Sequence, residues 1–358
     1  MTTLGIIPGD GTGPEVIAEA LKVLGAAEAG FGLDLAFSHF DLGGSRYLRT
    51  GETLPDSTLD ELREVDSILF GAVGHPDVKP GVLERGILLR IRKELDQYVN
   101  VRPVNLHPGV RGPLRGVAPE EIDLVIVREN TEGLYVGAGS VEGEGTADEL
   151  AIQESHNSRT AIERTIRYAF QLARSRKGRV TLCGKTNVLT HAWGLWERVF
   201  AELAADHPDV ATDYAHVDAA CLWLVEDPSR FDVIVTDNMF GDILSDLGAA
   251  IQGGLGIAAG GNVSPGGVSM FEPIGGTAPG FEGTGKINPL AAIAAAAMML
   301  DEVGATSAGA AVAEAVAEVA GSLPSLRAGK MAATTSEVGD HTARLVAAAS
   351  ATGGGGPQ

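Results

Sequence analysis

The chain has 358 residues, and 27 Lys and Arg against 47 Asp and Glu give it a formal net charge of −20. The length predicts about two domains. Because the negative charge repels the phosphate backbones of nucleic acids and anionic membrane surfaces, we expect neither a nucleic-acid nor a membrane partner. Its two cysteines cannot build a disulfide framework, and the sequence has no recognisable targeting or membrane-spanning segment, which favours a cytoplasmic protein.

Short aliphatic runs alternate along the chain with amphipathic helical patterns, which is typical of an α/β fold with a largely parallel sheet. The clearest predicted strands are Leu4–Ile7, Ser67–Phe70, Leu124–Val127, Val180–Leu182 and Val233–Val235. A polar or glycine-rich segment follows each of them directly. Because ligands bind beyond the carboxyl ends of parallel strands, we expect these segments to form one polar cleft.

The segment after the first strand, Gly9–Gly13, is similar to a dinucleotide-binding fingerprint. Its spacing is not G-x-G-x-x-G, however, and no acidic strand end follows about 20 residues later, so this signal is weak by itself. The first helix is predicted to begin near Pro14, because proline suits the first turn of a helix.

A set of arginines stands out in this acidic chain. Arg92 and Arg102 lie between the second and third predicted strands, and Arg128 follows the third one directly. Guanidinium groups bind carboxylates through paired hydrogen bonds, so these residues are candidates for holding an anionic substrate. A surface ion pair is the more common role of each arginine taken alone, and it fits Arg128 least because Arg128 lies at the carboxyl end of a strand. Tyr135 and Lys185 are the candidate pair for proton transfer, against the alternatives of a core tyrosine and a structural lysine.

Two segments suggest how the second half of the chain is organised. Residues 134–157 contain glycines and glutamates in little periodic order and are predicted to form a projecting arm. The run Ala219–Val225 is apolar all round, so as a helix it has to be buried inside the protomer or against a partner, and a dimer interface is favoured. The glycine-rich end at 353–358 is predicted to be a disordered tail.

The sharpest local signal lies in Asn238–Asp246. Asp242 and Asp246 are four residues apart, so a helix projects both carboxylates from one face. Two like charges at this spacing repel each other unless a cation lies between them. Carboxylate oxygens with no His or Cys nearby suit Mg²⁺ or Mn²⁺, whereas a solvated acidic face is the equally plausible alternative.

Together, several segments resemble the β-decarboxylating dehydrogenase family, which comprises isopropylmalate, isocitrate, homoisocitrate and tartrate dehydrogenases. The segments are Ile7–Glu15, Asn100–Pro103, Val127–Gly133, Lys185–Leu189, Val217–Ala219, Asn238–Asp246 and Glu272–Pro273. The resemblance implies a two-domain α/β fold with a largely parallel sheet that is not a Rossmann fold. It places the first, cofactor-side domain at 1–97 and 254–358, and the second domain, with the dimer interface and the metal and substrate ligands, at 98–253.

Carried over by position, the resemblance implies that three arginines bind the substrate carboxylates, namely Arg92, Arg102 and Arg128. It also implies that apolar side chains surround the third substituent of a malate, namely Leu88, Leu89 and Val188. Because a buried unpaired carboxylate would be costly there, the implied reaction is NAD-dependent oxidative decarboxylation of 3-isopropylmalate in leucine biosynthesis. The alternatives are a relative acting on tartrate, D-malate, isocitrate or homoisocitrate, and a non-catalytic regulatory subunit.

The same resemblance implies a homodimer with shared active sites. Asp242 and Asp246 of one subunit, with Asp218 of the other, are the implied ligands of Mg²⁺ or Mn²⁺, and Asp218 also contacts the substrate. Tyr135 is the implied acid that protonates the enol carbon. Lys185, donated across the dimer, is the implied base that takes the hydroxyl proton.

The implied dinucleotide site combines one residue after Lys185 with a second glycine-rich stretch. Its residues are Asn187, Glu272, Gly275, Gly276, Thr277, Ala278, Pro279, Gly280, Phe281, Glu282 and Asn288. The chain departs from the family pattern at Gly275, where His is common, and at Gly280, where an Asp binds the adenosine ribose and for which Glu282 is a candidate substitute. The Lys-Tyr pair of NADP-dependent isocitrate enzymes is also absent at Gly280-Phe281, so NAD is expected.

Overall fold

The computed structural model of the protein describes residues 1–353. Its strands are β1 (Thr2–Gly9), β2 (Leu35–His39), β3 (Ser67–Ala72), β4 (Val99–Asn105), β5 (Asp123–Glu129), β6 (Gly139–Glu142), β7 (Leu150–Gln153), β8 (Arg179–Gly184), β9 (Ala211–His216), β10 (Val233–Thr236), β11 (Ala259–Val263) and β12 (Ser269–Pro273). Its helices are α1 (Gly13–Phe31), α2 (Gly44–Thr50), α3 (Asp56–Leu62), α4 (Leu89–Glu94), α5 (Arg159–Arg174), α6 (Thr190–Asp206), α7 (Val217–Glu226), α8 (Asn238–Ile251), α9 (Leu290–Glu302), α10 (Thr306–Ser322) and α11 (Thr335–Gly353). The predicted disordered tail lies outside the described residues from Gly354 onward.

The predicted α/β class is confirmed, and each of the five predicted strands lies inside an observed one. Helix α1 begins at Gly13 with Pro14 in its first turn, as predicted. None of the helices described between residues 1 and 353 combines the length and the apolarity needed to cross a membrane.

The chain divides into two compact units, of which the first contains Met1–Gln97, Asn105–Pro119 and Ala249–Gln358. Its strands follow the order β2-β1-β3-β12-β11, and the pairs are parallel except for β11 with β12. Helices α1, α9 and α10 bury Val, Leu and Ala side chains in one continuous core. Helix α9 consists mostly of alanine with Leu, Ile and Met, and these apolar side chains bury it on nearly all sides, where the small alanines allow close packing.

The second unit contains Tyr98–Val104 and Glu120–Gly248. Its strands follow the order β4-β5-β10-β8-β9, in which β5, β10, β8 and β9 pair in parallel. The strands β5, β8 and β10 are buried almost throughout, which agrees with their continuous aliphatic sequences.

The observed units differ from the predicted domain boundaries at two places. The sequence assigns residues 105–119 to the second domain, but they belong to the first unit, where the Asn105 amide donates to Gln252 Oε1 at 2.9 Å and the backbone of Gly109 lies against Gly321. The third segment of the first unit begins at Ala249 rather than at residue 254.

Two surface elements of the second unit carry exposed apolar side chains. The predicted arm contains the antiparallel pair β6 and β7, whose residues are all exposed. Helix α7 buries Ala220 and Leu224, whereas Leu222 and Val225 are 53% and 44% exposed. A helix that is apolar all round therefore keeps one apolar face on the surface of this chain.

Candidate active site

Three parallel strands of the second unit bring polar residues to one edge of the sheet. Strand β10 lies between β5 and β8, with Thr236 opposite Arg128 and Val235 opposite Leu182. The segments after these strands start from one edge because the strands run in the same direction. They carry Arg128, Asn238 and Lys185.

The buried Arg128 is the centre of a polar cluster. Its guanidinium donates to Asn238 Oδ1 through Nε at 3.0 Å and through Nη2 at 2.7 Å, and its Nη1 pairs with Asp242. Asp242 also accepts a hydrogen bond of 2.9 Å from the Tyr135 hydroxyl. The Arg128 guanidinium carbon lies 5.3 Å from the centre of the Tyr135 ring. Three residues that the sequence singled out, Arg128, Tyr135 and Asp242, are thus in direct contact.

The pKa values of the two aspartates of α8, Asp242 and Asp246, are shifted in opposite directions. Burial would raise the pKa of Asp242, but the charge of Arg128 and hydrogen bonds from Tyr135 and Arg128 outweigh it and lower that pKa. The pKa of Asp246 is raised by partial desolvation and by the neighbouring Asp242 charge. Burial also raises the pKa of Tyr135, so its hydroxyl keeps its proton at neutral pH. Two adjacent carboxylates, one of them disfavoured as an anion, suit the binding of a cation.

Lys185 and Asp218 form a second pair. Lys185 Nζ donates to Asp218 Oδ1 at 2.6 Å, and the side chains are 24% and 69% exposed. The hydrogen bond from Lys185 lowers the pKa of Asp218. Among the described residues of this single chain, no three His, Cys, Asp or Glu side chains come together as a metal site.

Sequence reasoning assigned no role to two buried acids next to members of this cluster, Glu129 after Arg128 and Asp237 before Asn238. Glu129 accepts from the Thr131 amide at 2.8 Å and the Glu132 amide at 2.9 Å, and Asp237 accepts from the Phe240 amide at 2.8 Å at the start of α8. Burial raises the pKa of Glu129 and raises that of Asp237 to about 6. Each of them lies one residue beyond the end of an aliphatic run, after Arg128 and Thr236 respectively, and this position could have drawn attention to them.

The other predicted substrate residues lie in separate surroundings. Arg102 is buried and its Nε donates to Asn100 Oδ1, within the second unit. Arg92 is buried in the first unit, where its Nη2 lies 2.9 Å from Glu272 Oε1. The half-buried Leu88 and Leu89 stand at the junction between a π-helical turn at Glu84–Leu88 and α4. Val188, in contrast, is 64% exposed.

The first unit contains a cavity of about 330 Å³ beside the second glycine-rich stretch. Five predicted cofactor residues line it, namely Gly275, Gly276, Ala278, Phe281 and Asn288. Four others belong to the same loop without lining the cavity, namely Thr277, Pro279, Gly280 and Glu282. Glu272 instead pairs with Arg92, and Asn187 is exposed in the second unit. Arg327, which the sequence did not indicate, also lines the cavity.

The first glycine-rich segment holds the wall of this cavity in place. The Thr12 amide donates to the Thr277 carbonyl at 3.1 Å, and the Glu15 carboxylate accepts from the amides of Gly283 and Gly285. A side chain at Gly11, which has φ +58°, would lie 2.8 Å from Thr277 Cβ. The segment Gly9–Gly13 and the start of α1 therefore hold the loop beside the cavity in position. The spacing of the glycines gave no indication of these contacts.

Comparison with known proteins shows which family the chain belongs to. The sequence profile of the isocitrate/isopropylmalate dehydrogenase family matches residues 3–342. The 3-isopropylmalate dehydrogenase of Thermobifida fusca is 51% identical over 347 residues, 96% of this chain and 97% of that protein, and the protein of the same name from Frankia casuarinae is 54% identical over 317 residues, 88% and 91% of the two chains. The crystal structure of isocitrate dehydrogenase from Methylococcus capsulatus is similar at a TM-score of 0.87 and 35% identity, covering 97% of this chain and 100% of that one. The chain belongs to the isocitrate/isopropylmalate dehydrogenase family.

Proposed function

We propose that the protein oxidises and decarboxylates 3-isopropylmalate to 4-methyl-2-oxopentanoate, a step of leucine biosynthesis. The observation that carries this proposal is the cluster of Arg128, Tyr135 and Asp242, which joins a carboxylate-binding group, a protonated hydroxyl and an acidic ligand. Relatives about half identical over most of the chain bear the name 3-isopropylmalate dehydrogenase. Apolar Leu88 and Leu89 before Arg92 favour an alkyl substituent over a third carboxylate.

Substrate binding is assigned to the arginines. Arg128 is held on two sides by Asn238 and Asp242, so its guanidinium is oriented before a ligand arrives. Such orientation reduces the entropy lost when a carboxylate is bound. Arg102 and Arg92 complete the proposed set of carboxylate-binding residues, and both are buried.

The acidic residues fit a hard divalent ion. Asp242 and Asp246 offer only oxygen donors, and partial desolvation together with the Asp242 charge raises the pKa of Asp246, a cost that a cation would relieve. We assign Mg²⁺ or Mn²⁺ to these residues together with Asp218 of the partner subunit. When bound, such an ion supplies positive charge to the substrate hydroxyl and its adjacent carboxylate, which favours both oxidation and the loss of CO₂.

Two residues move protons in this scheme. Lys185 takes the proton of the substrate hydroxyl while the hydride leaves the same carbon. After CO₂ has left with cleavage of the bond to the neighbouring carbon, Tyr135 donates its proton to that carbon. The raised pKa of Tyr135, caused first by burial, keeps the proton available for this step.

The proposed hydride acceptor is NAD, held in the first unit by the loop from Gly275 to Asn288. The cavity beside this loop has little polar side-chain surface, and glycines at its wall let a ligand approach the backbone closely. When bound there, the nicotinamide ring accepts the hydride.

We further propose a homodimer in the cytoplasm. Leu222, Val225 and Ile243 are exposed apolar residues of the second unit, and burying such side chains in a subunit interface is favourable. Cys183 and Cys221 are both free, which fits a reducing compartment.

A substrate panel tests the proposal. The purified protein is supplied with Mg²⁺ or Mn²⁺, with NAD or NADP, and separately with 3-isopropylmalate, isocitrate, tartrate and malate. We expect the highest kcat/KM with 3-isopropylmalate, and 4-methyl-2-oxopentanoate as the product identified by mass spectrometry. Faster turnover of any of the other three acids would overturn the assignment.

A further inference from the structure

Lys185 and Asp218 lie just beyond the ends of two strands that pair in register. In the parallel pair of β8 and β9, Gly184 is opposite His216. Lys185 follows Gly184 directly, and Asp218 lies two residues after His216, in the first turn of α7. The hydrogen bond of 2.6 Å between the two side chains therefore depends on how the chain leaves each strand.

The segment that follows Lys185 is exposed on this chain. Asn187, Val188 and Leu189 are all exposed, and the Lys185 carbonyl accepts from the amides of Val188 at 3.2 Å and Leu189 at 2.9 Å. These two bonds close a turn but do not attach it to the sheet. Exposed turns of this kind open locally at a low cost in free energy. A fixed position of Lys185 therefore needs contacts to its neighbours in the sequence.

The hydroxyl of Tyr214 provides such a contact directly after Lys185. It accepts hydrogen bonds from the Thr186 amide at 3.1 Å and from the Thr186 hydroxyl at 3.0 Å. A phenolic oxygen accepts two hydrogen bonds and donates one, so its own proton is directed at Nδ1 of His216, 3.1 Å away. This one hydroxyl thus joins the segment that carries Lys185 to the segment that carries Asp218.

The ring of Tyr214 is itself held on the sheet. Tyr214 lies on β9, opposite Leu182 of β8. Tyr214 and His216 are two residues apart on the same strand, so their side chains share one face of the sheet. Their rings meet edge to face, with 5.1 Å between the centroids and an angle of 89° between the planes, an arrangement that aromatic pairs prefer. The hydroxyl therefore meets Thr186 from an oriented ring.

Packing fixes the residue before Lys185. Gly184 is buried, and a Cβ atom there would lie 2.1 Å from Cε3 of Trp193. Trp193 is 1% exposed and stacks on the ring of Phe240, with 5.6 Å between the centroids. The chain therefore has no room to move at Gly184, and the direction in which it continues is decided at Thr186.

We propose that Tyr214 is a positioning residue for Lys185, because its hydroxyl holds the backbone at Thr186 and so keeps Lys185 Nζ beside Asp218. Tyr214 does not touch the substrate in this scheme. The inference rests on the proposed function for the step concerned, which is removal of the hydroxyl proton by Lys185. Since misplacing a reacting group by about 1 Å slows a reaction strongly, loss of the Tyr214 hydroxyl acts on kcat rather than on substrate binding.

Tyr214→Phe tests this, because it removes the hydroxyl and keeps the ring. We expect kcat with 3-isopropylmalate to fall about tenfold, while KM for this substrate and the dissociation constant of NADH stay within about twofold. Tyr47→Phe is the matched control, since it removes the hydroxyl of a half-buried tyrosine of α2 in the first unit. Thr186→Ala, which loses its hydroxyl but keeps its amide, should fall between the two. An unchanged kcat in Tyr214→Phe overturns the proposal, and so does a loss that appears in KM alone.

A cycle of single and double variants shows whether the effect passes through Lys185. In the Lys185→Ala background, Tyr214→Phe is expected to lower kcat no further, because the hydroxyl then has no base to position. A loss of about tenfold in both backgrounds would mean that the two residues act independently. That result would overturn the proposal.

Amide hydrogen exchange reports on the same contact without catalysis. The Thr186 amide donates to Tyr214, so its exchange, followed by mass spectrometry of peptides that cover residues 185–189, should be faster in Tyr214→Phe and unchanged in Tyr47→Phe. Equal exchange of Thr186 in Tyr214→Phe and the unchanged protein overturns the proposal. If the protein oxidises none of the four acids, the proposed function is refuted, and the exchange of Thr186 still decides whether Tyr214 holds this segment.

Discussion

The position of Arg128, on strand β5, depends on Gly241 in the first turn of helix α8. A Cβ atom at Gly241 would lie 2.5 Å from Arg128 Cγ and 2.6 Å from its Cβ. Since Arg128 is held by Asn238 and Asp242 in a buried setting, it cannot retreat without breaking these hydrogen bonds. The site therefore requires a residue without a side chain at position 241.

We expect Gly241→Ala to raise KM for 3-isopropylmalate about tenfold or more, because displacing an oriented guanidinium by even 1 Å weakens carboxylate binding. The change is measured by steady-state kinetics at saturating cofactor. Gly194→Ala is the control, since its Cβ would meet only Arg198 Nη1 at an ordinary 3.5 Å inside helix α6. An unchanged KM in Gly241→Ala would show that Arg128 does not bind the substrate.

Lys185 provides the second prediction for single residues. Lys185→Ala is expected to lower kcat by about 10²–10⁴, because it removes the proposed general base. Lys177→Ala is the matched control, as it removes a half-exposed lysine that pairs with Asp123. Undiminished turnover of Lys185→Ala would show that the base is another group.

The sequence indicates the proposed reactive residues better than the residues that orient them through hydrogen bonds. Arg128, Tyr135 and Asp242 were predicted separately, and the structure joins them by hydrogen bonds. Asn238, which orients Arg128, was recognised only as one of several polar residues after a strand. Its role depends on a contact across 110 positions of the chain, which no local pattern encodes.

Among the elements, the loop after β1 acts as a support for other loops. The Asp10 carboxylate accepts hydrogen bonds from the amides of Gly44 at 2.7 Å and of Gly74 at 3.0 Å, and Glu15 holds the amides of Gly283 and Gly285. Charge-assisted bonds of this kind to backbone amides are stronger than neutral ones. Glu15 therefore holds the loop that follows Phe281 beside the cavity, whereas Asp10 holds the backbone at Gly44 and Gly74, which do not line it.

We expect Glu15→Gln to weaken dinucleotide binding several-fold, because a neutral amide accepts hydrogen bonds less strongly and leaves the loop at Gly283 and Gly285 less ordered. The dissociation constant of NADH is measured by fluorescence titration. Glu28→Gln on the same helix is the control, since Glu28 accepts from the Leu35 amide, away from the cavity. Equal dissociation constants in both variants and the unchanged protein would contradict the supporting role.

The buried start of α8 predicts a pH-dependent stability. Burial raises the pKa of Asp237 to about 6 in the folded protein, whereas an unfolded chain leaves it near 3.9. The folded state thus favours the protonated carboxyl, so the contribution of Asp237 to stability is fully present below about pH 4 and is lost as the pH rises through about 6.

Asp237→Asn, which stays neutral and can still accept from the Phe240 amide, is therefore expected to be more stable at pH 7 than the unchanged protein, by on the order of 2 kcal/mol. The difference should shrink toward pH 4 in urea unfolding curves. Asp209→Asn gives the opposite sign, because a hydrogen bond from Arg174 lowers the pKa of Asp209 to about 2. If Asp237→Asn changed the free energy of unfolding by the same amount at pH 4 and at pH 7, the effect would not come from the titration of Asp237.

Two of the strands that the sequence does not predict, β11 and β12, share a physical reason. Strand β11 has the sequence AGGNV and β12 the sequence SMFEP, and neither contains a continuous aliphatic run. Their antiparallel pairing and the packing of α9 against them bury these short strands. Tertiary contacts therefore decide their structure, whereas β5, β8 and β10 are recognisable from their own residues.

At the scale of the whole molecule, the contacts of Tyr135 and Lys185 suggest a test of whether two subunits share each active site. Tyr135 contacts Asp242, and Lys185 contacts Asp218, so the proposed acid and base each have a partner within the same chain. If a working site takes Lys185 from one subunit and Tyr135 from the other, two inactive variants can complement each other.

Mixtures of Tyr135→Phe and Lys185→Ala subunits, dissociated and reassociated together, are expected to regain about a quarter of the unchanged activity, because half of the dimers are mixed and each has one intact site. Each variant taken alone through the same procedure is the control. Activity that stays at the level of the separate variants, in mixed dimers verified by mass spectrometry, would show that Lys185 and Tyr135 act within one subunit.

The organisation of the first unit has a consequence for the order of events during synthesis. Helix α1 packs against α11, which follows more than 300 residues later in the sequence. Almost all of the second unit, in contrast, lies in the continuous segment Glu120–Gly248. The segment Glu120–Gly248 is therefore synthesised before the last helix of the first unit, and α1 lacks its contacts with α11 until Thr335–Gly353 has also been synthesised.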